Sequence, residues 1–168
     1  MNKSNIVLIG MPGVGKSTFG VVLAKVAAKA FIDTDLLLQN QYEASLQNQL
    51  DLFGYQELRR REAEILLDLR ARNAVIATGG SAVYSAEAMQ HLAKKGTIVY
   101  LQASENTLLG RINNMASRGI AKAAEQSFHD VYQERVPLYE RYADITLDVN
   151  SAANAESEAA ALILMLQY

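Results

Sequence analysis

Eight residues, Gly10-Met11-Pro12-Gly13-Val14-Gly15-Lys16-Ser17, constrain the fold of this chain more than any others. They follow Asn5-Ile6-Val7-Leu8-Ile9, an apolar run that reads as a buried parallel strand. They precede a stretch in which Phe19, Val22, Leu23, Val26 and Ala30 recur at helical spacing. Between a strand and a helix, two glycines framing four residues let the backbone turn its N–H groups inward as a cradle for phosphate oxygens. The positive end of the following helix adds to the attraction. In such a loop Gly13, Val14 and Gly15 line the cradle, and Lys16 reaches the β- and γ-phosphates. Ser17 offers an oxygen to Mg²⁺, and Thr18 supports the α-phosphate. The strand before and the helix after separate this pattern from an ordinary glycine-rich turn, so nucleotide binding is expected, with ATP and Mg²⁺ as its natural ligands.

The remaining pattern agrees with that start. Ala74–Thr78 and Thr97–Leu101 are further apolar runs of strand length, and Phe31–Asp33 and Asp144–Asp148 are weaker ones. Helical patterns separate them. Leu58, Ile65, Leu66 and Leu69 share a face, and Ser85 can cap a helix that stops at Gly96. Ser104 can cap another with Leu108, Leu109 and Ile112 inward, and Ala155, Ala159, Leu162, Ile163 and Leu166 form a last stripe. Alternating strands and helices imply a three-layer α/β fold, a five-stranded parallel sheet flanked by helices, with ligands at the carboxyl edge of the strands. A length of 168 residues, half of them hydrophobic, suits one domain spanning residues 1–168.

Composition then narrows the partners. A net charge of −2 with no basic block gives no electrostatic case for nucleic acid. With no cysteine there are neither disulfides nor thiolate metal sites. No apolar stretch approaches the roughly 20 residues that span a bilayer, and the polar start leads into no secretory leader, so a cytoplasmic monomer is expected.

Among nucleotide proteins, a guanine-reading Asn-Lys-x-Asp is missing, and the Asp51–Gly54 match to Asp-x-x-Gly lies outside a strand end. The chain is too short for a large ATPase. A small-molecule kinase remains. Asp33 and Asp35, in Phe-Ile-Asp-Thr-Asp, fall just beyond the second strand, where one carboxylate can serve Mg²⁺ and the other the attacking hydroxyl. A helix cap is the alternative role for such an aspartate. Arg59 and Glu62 lie three apart on one helical face, so Glu62 can orient a guanidinium suited to gripping a carboxylate. Gly79 and Gly80 end the third strand, where a substrate can lie against bare backbone. The least patterned stretch, residues 113–127, reads as a mobile lid with little apolar area to pin it down. His91 and His129 are expected to do surface work.

Together these motifs resemble the shikimate kinase family over almost the whole chain. The resemblance implies a P-loop fold like that of nucleoside monophosphate kinases and an ATP- and Mg²⁺-dependent phosphorylation of shikimate in aromatic amino acid synthesis. It implies that Ser17 and Asp33 place Mg²⁺, and that Asp35 binds the substrate hydroxyls. Arg59 and Arg135 would hold the carboxylate, with Gly79 and Gly80 along the ring. Arg111 would pack on adenine, and Arg118 would swing over the transferring phosphate. The chain departs from the family pattern at Tyr55 (a glutamate), Leu58 (a phenylalanine), Ser81 (a third glycine) and Gly119 (the lid proline). A kinase of another polyol acid such as gluconate, or a degenerate nucleotide-binding module signalling to a partner, are the alternatives to be weighed.

Overall fold

A computed structural model describes residues 3–112, 119–151 and 155–166. Strand β1 (Asn5–Ile9) is buried at all five positions, as its unbroken apolar run requires of a strand covered on both faces. It feeds the glycine loop and helix α1 (Lys16–Ala27). Then come β2 (Ala30–Asp33), α2 (Thr34–Tyr42) and α3 (Leu46–Asp68). Gly54 breaks the last of these with φ 80° and ψ 168°, so α3 is two helical pieces meeting at a kink. Beyond it lie β3 (Ala74–Ala77), a single 3-10 turn (Ala82–Tyr84), α4 (Ala86–Lys95) and β4 (Gly96–Gln102). The chain closes with α5 (Glu105–Arg111), α6 (Phe128–Tyr142), β5 (Ile145–Asp148) and α7 (Ala155–Leu166).

All five strands are parallel, in the order β2-β3-β1-β4-β5. The chain leaves β1 for β2 in one direction across the sheet and returns through β3, β4 and β5 in the other. With right-handed crossovers this sends α1 to one face and α3, α4 and α6 to the opposite one. The packing agrees: α1 lies against α7, and α3 against α4. The expected three layers are therefore present, and each strand extends within about two residues of its expected range. Ser85 and Ser104 cap α4 and α5 by accepting from Ala88 N and Thr107 N. Gly96 ends α4 by opening β4 at once, in an extended conformation with φ −150°.

Where the sheet order reverses, beside β1, the strand ends diverge and leave a crevice. Into it run the glycine loop from β1, Asp33–Asp35 from β2 and Thr78–Ser81 from β3. Thr78 fastens its segment to the central strand, its N–H and hydroxyl both donating to Leu8 O, at 3.1 and 3.0 Å. Gly79 N donates to Thr34 Oγ1 at 3.3 Å, tying the β3 end to the start of α2.

Helix α6 carries Arg135 to this edge and is started by a reciprocal cap. Ser127 Oγ accepts from Asp130 N at 3.1 Å, and Asp130 Oδ2 accepts from Ser127 N at 2.8 Å. The hydrogen bond from the Ser127 side chain holds the Asp130 carboxyl below its ordinary value. Such a cap contributes about 1 kcal/mol. Ser127→Ala should lower the unfolding free energy by about that much at neutral pH. Because the Asp130 pKa is depressed on folding, its share is present above the ordinary carboxylate range and fades as pH falls through it. Urea unfolding of both proteins at neutral and acid pH checks both the size and the trend.

Candidate active site

One cavity of about 320 Å³ opens at the carboxyl edge, lined by Lys16, Ser17 and Thr18 from the glycine loop side and by Asp35, Glu62, Gly79, Ser81 and Arg135 opposite. The loop begins α1 at Gly15, whose φ of 102° suits glycine and turns the backbone into the helix. Lys16 is almost buried. Its ammonium folds back over its own loop, donating to Gly10 O at 2.7 Å and Met11 O at 3.0 Å. Burial lowers its pKa to about 8, while Asp35 and Glu62 pull it back up.

The two aspartates have separate surroundings. Asp33 caps α2, its Oδ1 accepting from Asp35 N at 3.0 Å and Leu36 N at 3.4 Å. That is the alternative role for an aspartate here, and one carboxylate can cap with one oxygen while the other stays free. Asp35 lines the cavity instead. Burial raises its pKa, with Lys16 opposing and Asp33 reinforcing the shift.

Arg59 and Arg135 come from α3 and α6, and the structure brings them together. Arg59 Nε and Nη2 donate to Ala121 O at 3.2 and 3.0 Å, and Arg135 Nη2 donates to the same oxygen at 2.8 Å. Tyr84 lies between them. Its ring centroid is 3.6 Å from the Arg59 guanidinium carbon, and its hydroxyl accepts from Arg135 Nε at 3.3 Å. Tyr55, one of the departures from the family pattern, adds a second ring 4.9 Å from Arg59. Sequence reasoning missed Tyr84. The only available signal was an aromatic residue closing Gly79-Gly80-Ser81-Ala82-Val83-Tyr84, on the turn that follows β3.

Glu62 requires a correction. It does not orient Arg59, whose hydrogen bonds go to Ala121. Instead Ser81 Oγ donates to Glu62 Oε2, and Glu62 Oε1 is buried without a hydrogen-bond partner. A Cβ on Gly79 would collide with that oxygen and lie 2.7 Å from Asp35 Oδ1, so a side chain there would have to displace both carboxyls. Helix geometry made the Arg59–Glu62 contact possible, but tertiary partners on either side took each group.

The far end of the expected lid also differs from its description. Ile120 and Ala121 are buried, and Ala121 packs with Leu38, Leu58 and Ile65. Gly119 has φ 56°, and a Cβ there would lie 2.6 Å from the Leu46 carbonyl carbon. Close approach to α3 therefore dictates glycine at this position. Residues 113–118, and Arg118 with them, lie outside the described residues.

Arg111 spans the two sides of the nucleotide end, donating to Val149 O at 2.7 Å and Val14 O at 3.4 Å. His129 meets Glu105 at 2.8 Å, and His91 lies within hydrogen-bonding distance of Leu69 O and Lys95 Nζ; neither lines the cavity.

A phosphate cradle and the Arg135 guanidinium face one small cavity, and Arg59, which does not line it, reaches its wall through Ala121 O, so both reactants of a phosphoryl transfer can meet within a single short chain. This is the architecture of P-loop small-molecule kinases. Comparison with known proteins narrows the class: the shikimate kinase family model matches residues 12–166. The shikimate kinase of Chromobacterium violaceum is 35% identical over 147 residues, covering 86% of this chain and 80% of that one. The enzyme of Mannheimia succiniciproducens is 35% identical over 149 residues, covering 86% and 85%. Among solved structures, the shikimate kinase of Acinetobacter baumannii in complex with shikimate superposes with a TM-score of 0.89 at 29% identity, over 98% of this chain and 93% of that one. The chain belongs to the shikimate kinase family. A gluconokinase from Sinorhizobium meliloti, with a TM-score of 0.50 at 20% identity over 98% and 93%, shares the fold alone.

The buried Glu62 gives a stability signature. Burial first, and Asp35 second, raise its pKa to about 7. A carboxyl whose pKa rises on folding contributes stability below its ordinary range and loses it as pH climbs toward the raised value. Between pH 5 and 8, wild-type protein should lose unfolding free energy that Glu62→Gln does not lose. Parallel urea titrations at the two pH values measure the difference.

Proposed function

We propose that this protein transfers the γ-phosphoryl group of ATP to the 3-hydroxyl of shikimate. The observation that carries the reading is the convergence of Arg59 and Arg135 on one oxygen, Ala121 O, at the wall of the cavity that also holds Lys16 and Asp35. Two guanidinium forks aimed at one point suit a planar carboxylate, and Tyr84 keeps both in place. An acceptor held there extends along Gly79 and Gly80 toward Asp35. The relatives named shikimate kinase and the neighbour solved with shikimate support the choice of acid.

In the reaction the acceptor oxygen attacks the γ-phosphorus as the bond to the β–γ bridging oxygen of ATP breaks. Asp35 accepts the hydroxyl proton. Lys16 exchanges the carbonyls of Gly10 and Met11 for phosphate oxygens. Positioning and charge neutralisation do most of the work in such a transfer. The backbone of Gly13, Val14 and Gly15 cradles the phosphates, with Thr18 at the α-phosphate and Arg111 against the adenine. The hard oxygen donors of Ser17 and Asp33 fit Mg²⁺, which is usually bound by one or two protein oxygens together with phosphates and water. That ion would neutralise charge on the β- and γ-phosphates. In this reading the lid expected over residues 113–127 brings Arg118 over the phosphate and excludes water, with its later part, where Ala121 packs on Leu58 and Ile65, as the fixed end. The working unit is a single-domain monomer in the cytoplasm. No helix among the described residues is long and apolar enough to cross a membrane.

ADP release measured over shikimate, quinate and gluconate tests the assignment. Shikimate should be turned over fastest, and a preference for gluconate would overturn it. Lys16→Ala should lower kcat by at least roughly a hundredfold in a folded protein. Arg59→Ala should raise the KM for shikimate by about 10- to 100-fold, the equivalent of a charge-assisted hydrogen bond, with little change in the KM for ATP. Equal losses for both substrates would place Arg59 outside the acceptor site.

A further inference from the structure

Three arginines follow one another on α3, and the first is held differently from the other two. Arg60 pairs with Glu57 and Glu64, and Arg61 pairs with Glu57. Arg59 makes no salt bridge among the described residues. Glu134 feels its charge but accepts a hydrogen bond from Gln126, at 2.8 Å. Two aromatic rings and a carbonyl hold Arg59 instead. Its guanidinium carbon lies 3.6 Å from the Tyr84 ring centroid and 4.9 Å from that of Tyr55, both within the range where a cation is drawn to a ring face. Gly54 turns the chain with φ 80° just before Tyr55, so Tyr55 opens the second helical piece of α3, four residues ahead of Arg59 and on its face. Tyr84 comes from the turn after β3. All three side chains are half-buried.

The placement of Arg59 calls for such a hold. It does not line the cavity and reaches its wall through Ala121 O, which it shares with Arg135. An arginine stem has many rotamers, and an unbraced head swings out to water. A carboxylate brace would fix the head but also neutralise it. Ring faces fix it and leave its charge to act on the site. We propose that Tyr55 and Tyr84 are positioning residues that brace Arg59 by their ring faces, so that its charge strengthens the seat for the acceptor's carboxylate beside Arg135. The proposal rests on the acceptor being an acid of the shikimate type, and it deepens that reading by naming what makes the seat select an anion. Neither tyrosine lines the cavity; both act through Arg59. Tyr84 has a second, separable part, since its hydroxyl accepts from Arg135 Nε at 3.3 Å. Tyr55 stands where the family pattern has a glutamate, so this chain builds the brace without the opposing charge.

The test compares shikimate with methyl shikimate, whose ester carries no charge. KM and kcat are measured for the wild type, Tyr84→Phe, Tyr84→Leu, Tyr55→Phe and Tyr55→Leu, each checked for folding by thermal melting. Tyr55→Leu is also made in an Arg59→Ala background. With shikimate, Tyr84→Leu should raise KM about tenfold and Tyr55→Leu about threefold, the sizes of lost cation–ring contacts. Tyr55→Phe, which keeps the ring, should match the wild type, and Tyr84→Phe should raise KM less than Tyr84→Leu. Neither kcat nor the KM for ATP should move. With methyl shikimate the wild-type KM should already be raised, and the leucine substitutions should raise it no further. In the Arg59→Ala background Tyr55→Leu should add nothing. If the leucine variants leave the KM for shikimate unchanged, raise it equally for the ester, or add their full effect without Arg59, the proposal is overturned while the functional reading stands. If the wild type turns over no shikimate, the functional reading falls and the proposal falls with it. Should Tyr84→Leu fail to fold, the Tyr55→Leu and Tyr55→Phe pair decides by the same comparison.

Discussion

Four ionisable side chains, Lys16, Asp35, Glu62 and Arg135, share the wall of one small cavity, and the rest of the structure exists to keep them there. Lys16, Glu62 and Arg135 are buried and Asp35 is half-buried beside them, a withdrawal from water that close opposite charges and hydrogen bonds offset. Two cations and two carboxyls come near to balancing. The balance is incomplete, and the displaced pKa values of Lys16 and Glu62 record it. A set of groups so expensive to bury must be imposed by a rigid frame, and the parallel sheet supplies one. Lys16 is fixed by the end of β1, Asp35 by the end of β2, and Ser81 by the end of β3, while α3 and α6 add Glu62 and Arg135.

The aromatic residues around the cavity belong to the same frame. Tyr139 donates to Gly80 O at 2.5 Å and stacks on Tyr100 of β4, with centroids 5.2 Å apart. The loop that presents Gly79, Gly80 and Ser81 is thereby tied to α6 and to the sheet at once. Tyr84 does the equivalent for the two arginines. The two guanidinium groups are thus held by a turn, two helices and one backbone carbonyl, with no salt bridge to either among the described residues.

The frame was legible in the sequence because its signals are local. An apolar run followed by Gly-x-x-x-x-Gly-Lys-Ser announces a strand, a loop and a helix without reference to the rest of the chain. The serine caps at Ser85 and Ser104 announce helix starts in the same way. Side-chain partnerships inside the cavity were not legible, since they depend on which distant element arrives first at a given group. Helical spacing put Glu62 beside Arg59, yet Ser81 and Ala121, from other parts of the chain, claimed them. Nor could spacing show that Gly119 approaches the backbone of Leu46, a contact between segments far apart in sequence. Gly119, where the family pattern has the lid proline, has φ 56° and leaves no space for a Cβ beside Leu46.

The sheet order carries a consequence for how the molecule comes into being. Strand β1, buried at all five positions, pairs only with β3 and β4; Ile6 meets Val75, and Asn5 meets Gly96. A ribosome releases the phosphate loop early, but the strand that supports it has no neighbour until residue 75 has been made and is not enclosed until residue 102 follows. At roughly 5–20 residues per second this leaves the stickiest segment waiting for several seconds. Non-local pairing of this kind slows folding and ties it to chain completion. The glycine loop therefore gains the support of its strand late in synthesis, although it is among the first segments made.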